Sequence, residues 1–275
     1  MSKPSVAVER NVVVATGGGR DLHADVYRPA QANHAGVLMI HGGGWRMGSK
    51  DMMPPQATAL AKHGYTCAAI EYRLTPEAPW PAQIHDVKAA LRWFRANADA
   101  LGVEPDRIAV SGNSAGGHLA LLLAGTVGHP DFEGEGGNPG VDTSVAAVVA
   151  VYPPVLFHMG ERPSGANAAT ALLGADPDPD DAAAASPIET VHRDFPPTFF
   201  LHGNADRVVP VTASLNMYQA LSDAGARAEM HIYAEQPHGW ARWPAWVEPT
   251  MAEAAVFLAR YVVAPDRYAA PDDAG

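Results

Sequence analysis

Three residues in this chain have the types and neighbours that nucleophilic catalysis needs: Ser114, Asp206 and His238. Ser114 lies in Gly112-Asn113-Ser114-Ala115-Gly116-Gly117, between an apolar run at 107–111 and an Ala/Leu-rich stretch at 114–126. A hydroxyl becomes a strong nucleophile when a base takes its proton. It must also be pushed out of the fold, which a tight strand–turn–helix accomplishes. Glycines on either side remove side chains that would collide with the adjoining strand and helix. With 26 glycines in the chain, G-x-S-x-G arises by chance in about 0.09 copies, so the flanking strand and helix carry the argument.

A second glycine cluster, His41-Gly42-Gly43-Gly44-Trp45, closes the apolar run at 36–40 and is rarer by chance, at about 0.01 copies. Consecutive glycines let backbone N–H groups turn towards a ligand. Gly43, Gly44 and Ala115 are the expected oxyanion-hole donors. The helix beginning after Ser114 adds the favourable end of its dipole. His41 is expected to anchor the loop. Trp45 fits either a pocket wall or core.

Asp206 follows the strand expected at 198–201, and His238 follows the strand at 227–233. A buried carboxylate in the first position can hold an imidazole in its productive tautomer. The chain order is nucleophile, acid, base. Asp194, Asp223 and Glu235 suit the strand-end position less well, and the acids of 176–181 read as solvated turn residues. His202 reads as structural, and His231 lies within a strand. No H-E-x-x-H or paired-cysteine pattern points to a metal. The single cysteine, Cys67, sits in an apolar run and reads as a buried small hydrophobe. Leu156, Phe157, Val208, Val209 and Trp240, with Trp45, are the expected apolar lining of a substrate pocket.

These residues need a scaffold that brings distant loops together. Apolar runs alternate with amphipathic stretches. Glycines 17–19 join an opening hairpin, helices are expected at 53–63, 81–101, 211–224 and 246–262, and eight strands are expected in all. That alternation implies an α/β fold with a mostly parallel sheet and helices on both faces, whose ligands bind beyond the carboxyl ends of the strands. Residues 128–144 read as a surface loop. Residues 152–196 form a long interval, with a helical piece at 168–173, and are the candidate lid on a single domain spanning 1–275.

Composition sets outer limits. Hydrophobic residues make up 47% and charged residues 18%, a balance that supports a sizeable core. The formal net charge of -11 opposes nucleic-acid and membrane-surface partners. No signal-peptide pattern or membrane-span length of apolar sequence occurs, so cytoplasmic residence is expected. Oligomeric state does not follow; a homodimer is one of the states left open.

The segments HGGGW (41–45), EYRLTPEAPWPAQIHDV (71–87) and SGNSAGGHLALLLA (111–124), with HGNADRVVP and QPHGW further on, resemble the esterase/lipase group related to hormone-sensitive lipase. The resemblance implies an α/β-hydrolase fold and a serine carboxylesterase. The substrates expected are small, short-acyl esters, cleaved through an acyl-enzyme without a cofactor. Asn113 replaces the acidic residue usual before the nucleophile, and strands stand where that group carries an N-terminal helical cap. In both respects the chain is more similar to the compact feruloyl and acetyl-xylan esterases. Two other classes compete: an amide hydrolase such as an aryl formamidase, and a ligand-binding protein on an inactive hydrolase scaffold.

Overall fold

A computed structural model describes residues 5–157 and 163–268. Strands β1 (Ala7–Gly17) and β2 (Arg20–Arg28) form the hairpin, with Gly18 at φ 60° and Gly19 at φ 83°. Two central residues at positive φ match the right-handed twist of the flanking strands, which explains the glycine pair. The sheet continues with β3 (Gly36–Ile40), β4 (Thr66–Ile70), β5 (Ile108–Asn113), β6 (Val148–Val151), β7 (Thr198–Gly203) and β8 (Ala228–Tyr233). Its order is β1-β2-β4-β3-β5-β6-β7-β8. β2 runs antiparallel to both its neighbours, and all pairs from β4 onward are parallel. This is the expected α/β-hydrolase sheet of eight strands.

Strands β3 to β7 are buried on both faces, so their side chains divide between two cores. Leu38 and Ile40 of β3 face helices α2 (Ala82–Ala96) and α4 (Ala115–Gly125). Val37 and Met39 face α1 (Pro54–Lys62) and α9 (Pro244–Leu258). Cys67 lies within β4, paired with Tyr27 on one side and Val37 on the other. It is fully buried, and burial pushes its thiol pKa far up.

Three expectations about elements need correction. The helix expected over 81–101 breaks into α2 and α3 (Ala98–Leu101) at Asn97, whose side-chain amide and backbone N–H both bond the Trp93 carbonyl, at 2.8 and 3.0 Å. The 128–144 stretch contains α5 (Pro130–Glu133), and Glu133 is the centre of a charge cluster. Its carboxylate accepts from Lys88 Nζ at 2.7 Å, Arg92 Nη1 at 3.0 Å, Thr143 Oγ1 at 2.6 Å and the Gly128 amide at 2.9 Å. The Lys88 side chain has no solvent exposure, so this apparent loop supplies the counter-charge that α2 needs. Within 152–196, α6 (Pro163–Leu173) is longer than expected and α7 (Pro179–Ala184) occupies the acidic turn. Asp178 is exposed, as expected, but caps α7 by accepting from the Asp180 amide at 2.8 Å, so it starts a helix rather than a turn. Two further helical elements flank the last strands: α8 (Thr212–Asp223), and a widened turn after α9.

Candidate active site

The site forms where β3, β5, β7 and β8 end. Ser114 follows β5 and precedes α4 with φ 54° and ψ −118°. A non-glycine residue at such an angle costs roughly 1–3 kcal/mol and persists only where its surroundings enforce it. Here the Ser114 amide is held by the Val151 carbonyl at 2.8 Å. A Cβ on Gly112 would sit 2.2 Å from the Gly116 carbonyl oxygen, and one on Gly116 would sit 2.1 Å from that of Ile40. The turn therefore closes only with glycine at both positions.

The 41–45 loop lies against this elbow: a Cβ on Gly42 would be 2.8 Å from the Asn113 oxygen and 3.4 Å from Ser114 Cβ. Gly43 has φ 125° and Gly44 φ 59°. The amides of Arg46 and Met47 both bond the Gly43 carbonyl at 3.2 Å, which turns the loop back on itself. Among the described residues, no acceptor takes the N–H of Gly43, Gly44 or Ala115. His41 is buried and stacks on Tyr72 with ring centres 4.3 Å apart. Burial lowers its pKa, so the neutral ring donates from Nδ1 to the Gly42 carbonyl at 2.7 Å. That is the anchoring position expected of it.

Asp206 and His238 come from the loops after β7 and β8. His238 Nδ1 lies 2.6 Å from Asp206 Oδ2, and its Nε2 lies 2.9 Å from Ser114 Oγ. Asp206 Oδ1 accepts the amides of Val208 and Val209, each at 2.9 Å. Burial alone would raise the Asp206 pKa. Hydrogen bonds from His202 and His238, the charge of His238 and the Val209 amide outweigh it and hold the carboxyl far below the usual range. His202 is fully buried, with Nε2 3.4 Å from Asp206 Oδ2 and Nδ1 2.8 Å from Ser214 Oγ, so it braces the acid from behind. His231 pairs with Glu253 at 2.6 Å, away from Ser114, and Asp223 accepts from Gln219.

Two features of this half of the site escaped sequence reading. A Cβ on Gly203 would fall 2.0 Å from the Gln236 carbonyl oxygen, so that glycine lets the acid and base loops touch backbone to backbone. Asn204 Oδ1 accepts the Glu235 amide at 2.7 Å and ties the same loops together. The signal lay in His202-Gly203-Asn204, read only as the lead-in to Asp206. His118 was missed altogether. It is fully buried one turn into α4, receives the Trp45 Nε1–H at Nδ1 over 3.2 Å, and reaches the Ala185 carbonyl from Nε2 over 2.7 Å.

The residues expected to line a pocket divide between buried and exposed positions. Trp45, Phe157 and Trp240 are core residues, no more than 2% exposed, while Leu156 and Val208 are exposed at 40% and 62%. Val209 is buried beside Asp206. Large apolar residues next to a motif pack beneath it here, because the sheet faces claim them first. A cavity of about 650 Å³ opens instead beside Arg46, lined by Thr75, Trp80, Leu172, Leu173 and Asp181 among others. Among the described residues, no group of three or more His, Cys, Asp or Glu is arranged to hold a metal. No helix among them is long and apolar enough to cross a membrane.

Residues 24–221 match the sequence model of the BD-FAE family. The chain belongs to that family. It stands among the hormone-sensitive-lipase-like α/β-hydrolases. This BD-FAE chain is 34% identical over 239 residues to the probable carboxylic ester hydrolase LipM of Mycobacterium tuberculosis, an overlap covering 80% of this chain and 52% of LipM. It spans about half the length of the curated relatives it matches. Among solved structures it resembles a truncated carbohydrate esterase from gut microbiota, at 29% identity and a TM-score of 0.81 over 94% of this chain and 98% of that one. It also resembles the propionate-bound esterase Est2 of Thermogutta terrifontis, at 28% identity and a TM-score of 0.76 over 94% of each chain.

Proposed function

We propose that this protein is a serine carboxylesterase acting on small, short-acyl esters, with Ser114 as nucleophile, His238 as base and Asp206 as its orienting acid. The observation that carries this reading is the unbroken relay from Asp206 Oδ2 through His238 to Ser114 Oγ, at 2.6 and 2.9 Å. His238 Nε2 takes the hydroxyl proton as Ser114 Oγ bonds the ester carbonyl carbon. Asp206, kept ionised by its surroundings, stabilises the imidazolium. The amides of Gly43, Gly44 and Ala115 receive the negative oxygen of the tetrahedral intermediate. The intermediate collapses, the C–O bond to the alcohol breaks, and His238 returns the proton to the leaving oxygen. Water then repeats the sequence on the acyl-enzyme, giving the carboxylic acid and free Ser114.

The short-acyl preference draws support from the propionate and butyrate held by Est2. Residues 152–196, bearing α6 and α7, are read as an insertion bordering the pocket within one catalytic domain. The test is Ser114→Ala on p-nitrophenyl acetate and butyrate. A loss of at least about 10⁴-fold in kcat is expected, and unchanged turnover would refute the assignment. A p-nitrophenyl series from two to twelve carbons should peak at or below four. Matched anilides run alongside separate ester from amide hydrolysis.

A further inference from the structure

His118 joins three parts of the molecule that the proposed chemistry treats as separate. It belongs to α4, the helix that begins at Ala115, and its amide bonds the Ser114 carbonyl at 2.9 Å. Its Nδ1 accepts from Trp45 Nε1, and its Nε2 faces the Ala185 carbonyl of the insertion. Burial pushes its pKa down to about 4, so the ring is neutral. The Ala185 carbonyl can only accept, which places the single proton on Nε2 and leaves Nδ1 as a lone pair for Trp45.

Trp45 has reason to need that hold. It follows Gly44 directly and has φ 57°, a backbone angle that a bulky residue adopts only under constraint. Its constraints are few and specific. The Thr75 amide bonds its carbonyl at 2.8 Å. Its ring meets His118 edge-on at 5.1 Å and Phe157 at 5.7 Å. Phe157 is itself tied to the insertion, since its amide bonds Ser186 Oγ at 2.8 Å and that hydroxyl bonds the Ala182 carbonyl. Without the His118 acceptor, a buried indole N–H would lose its partner on the residue that directly follows Gly43 and Gly44.

Resting on the esterase reading, we propose that His118 is a positioning residue: it fixes Trp45, and through it the oxyanion-loop amides, against both the nucleophile helix and the insertion. Those amides act on charge that develops only in the transition state, so loosening them lowers kcat and leaves KM in place. A buried histidine serving stability alone would reduce the amount of folded enzyme without changing turnover per active site.

The experiment titrates Ser114 with a fluorophosphonate and measures kcat and KM for p-nitrophenyl acetate per labelled site. His118→Leu should lower kcat about ten- to a hundredfold with KM within twofold. His118→Asn presents an oxygen where Nδ1 stood and should recover most of the loss. Trp45→Phe, which keeps an aromatic ring in the core but removes the indole donor together with part of the ring, should lower kcat in the same sense and serves if His118→Leu does not fold. Unchanged kcat per site in His118→Leu or, where that fails to fold, in Trp45→Phe overturns the inference. Equal loss in the Asn and Leu variants overturns it as well. A labelled parent with unchanged variants refutes this inference alone, whereas an unlabelled parent refutes the esterase reading and this inference with it.

Discussion

Glycine at 116 is the residue on which the nucleophile's placement turns most directly. A methyl group there would lie 2.1 Å from the Ile40 oxygen and 2.7 Å from the His41 oxygen, both backbone atoms at the end of β3. Backbone cannot move aside as a side-chain tip can, so Gly116→Ala must push α4 away from the strand. Destabilisation of about 3 kcal/mol or more is expected, read from the urea midpoint, together with loss of Ser114 labelling. A variant folding with the parent's midpoint would contradict this account. The residues of the relay could be picked out beforehand because each follows a strand end, in an order that chemistry restricts. The wall residues were not legible. An aromatic side chain next to a motif looks the same in sequence whether it faces a ligand or the layer beneath, and Trp45, Phe157 and Trp240 face the layer beneath.

Elements proved readable where their hydrophobic pattern is local, and unreadable where a distant partner decides. β3 and β4 are uninterrupted apolar runs, as strands buried on both faces must be. Residues 128–144 look like solvent-facing loop because glycine, proline and acids dominate. The reason for Glu133 lies some forty residues earlier, in Lys88 and Arg92 on α2. Glu133→Gln removes the counter-charge of a lysine with no solvent exposure. It should destabilise the protein by about 3 kcal/mol, with kcat per labelled site unchanged, because the cluster touches none of the relay residues. Destabilisation below about 1 kcal/mol would mean that Lys88 finds another partner or water. Two other differences are local: α7 starts at the Asp178 cap inside a stretch whose acids read as a turn, and the helix breaks after α2 at Asn97, whose side-chain amide and backbone N–H share the Trp93 carbonyl.

At the scale of the whole molecule, one sheet separates two cores and carries the chemistry along a single edge. The relay draws on β5, β7 and β8, the oxyanion loop on β3, and the insertion enters after β6. Changes in the insertion can therefore alter what is bound while the strands that set the relay stay in place. The sheet gives Cys67 a different use. It lies near the middle of β4, hydrogen-bonded to a strand on each side, and nothing in the proposed chemistry requires it. A disulfide reagent reaches its sulfur only when these strands part, so the thiol is a built-in clock for global opening. In native buffer, labelling by Ellman's reagent should run at least about 10³-fold slower than for the urea-unfolded chain, and should accelerate with urea along the slope of global unfolding. Immediate labelling of the native protein would show that the sheet opens locally. Slow labelling, set against the rate for the unfolded chain, would give the free energy of global opening from one natural sulfur atom, with no probe introduced into the chain.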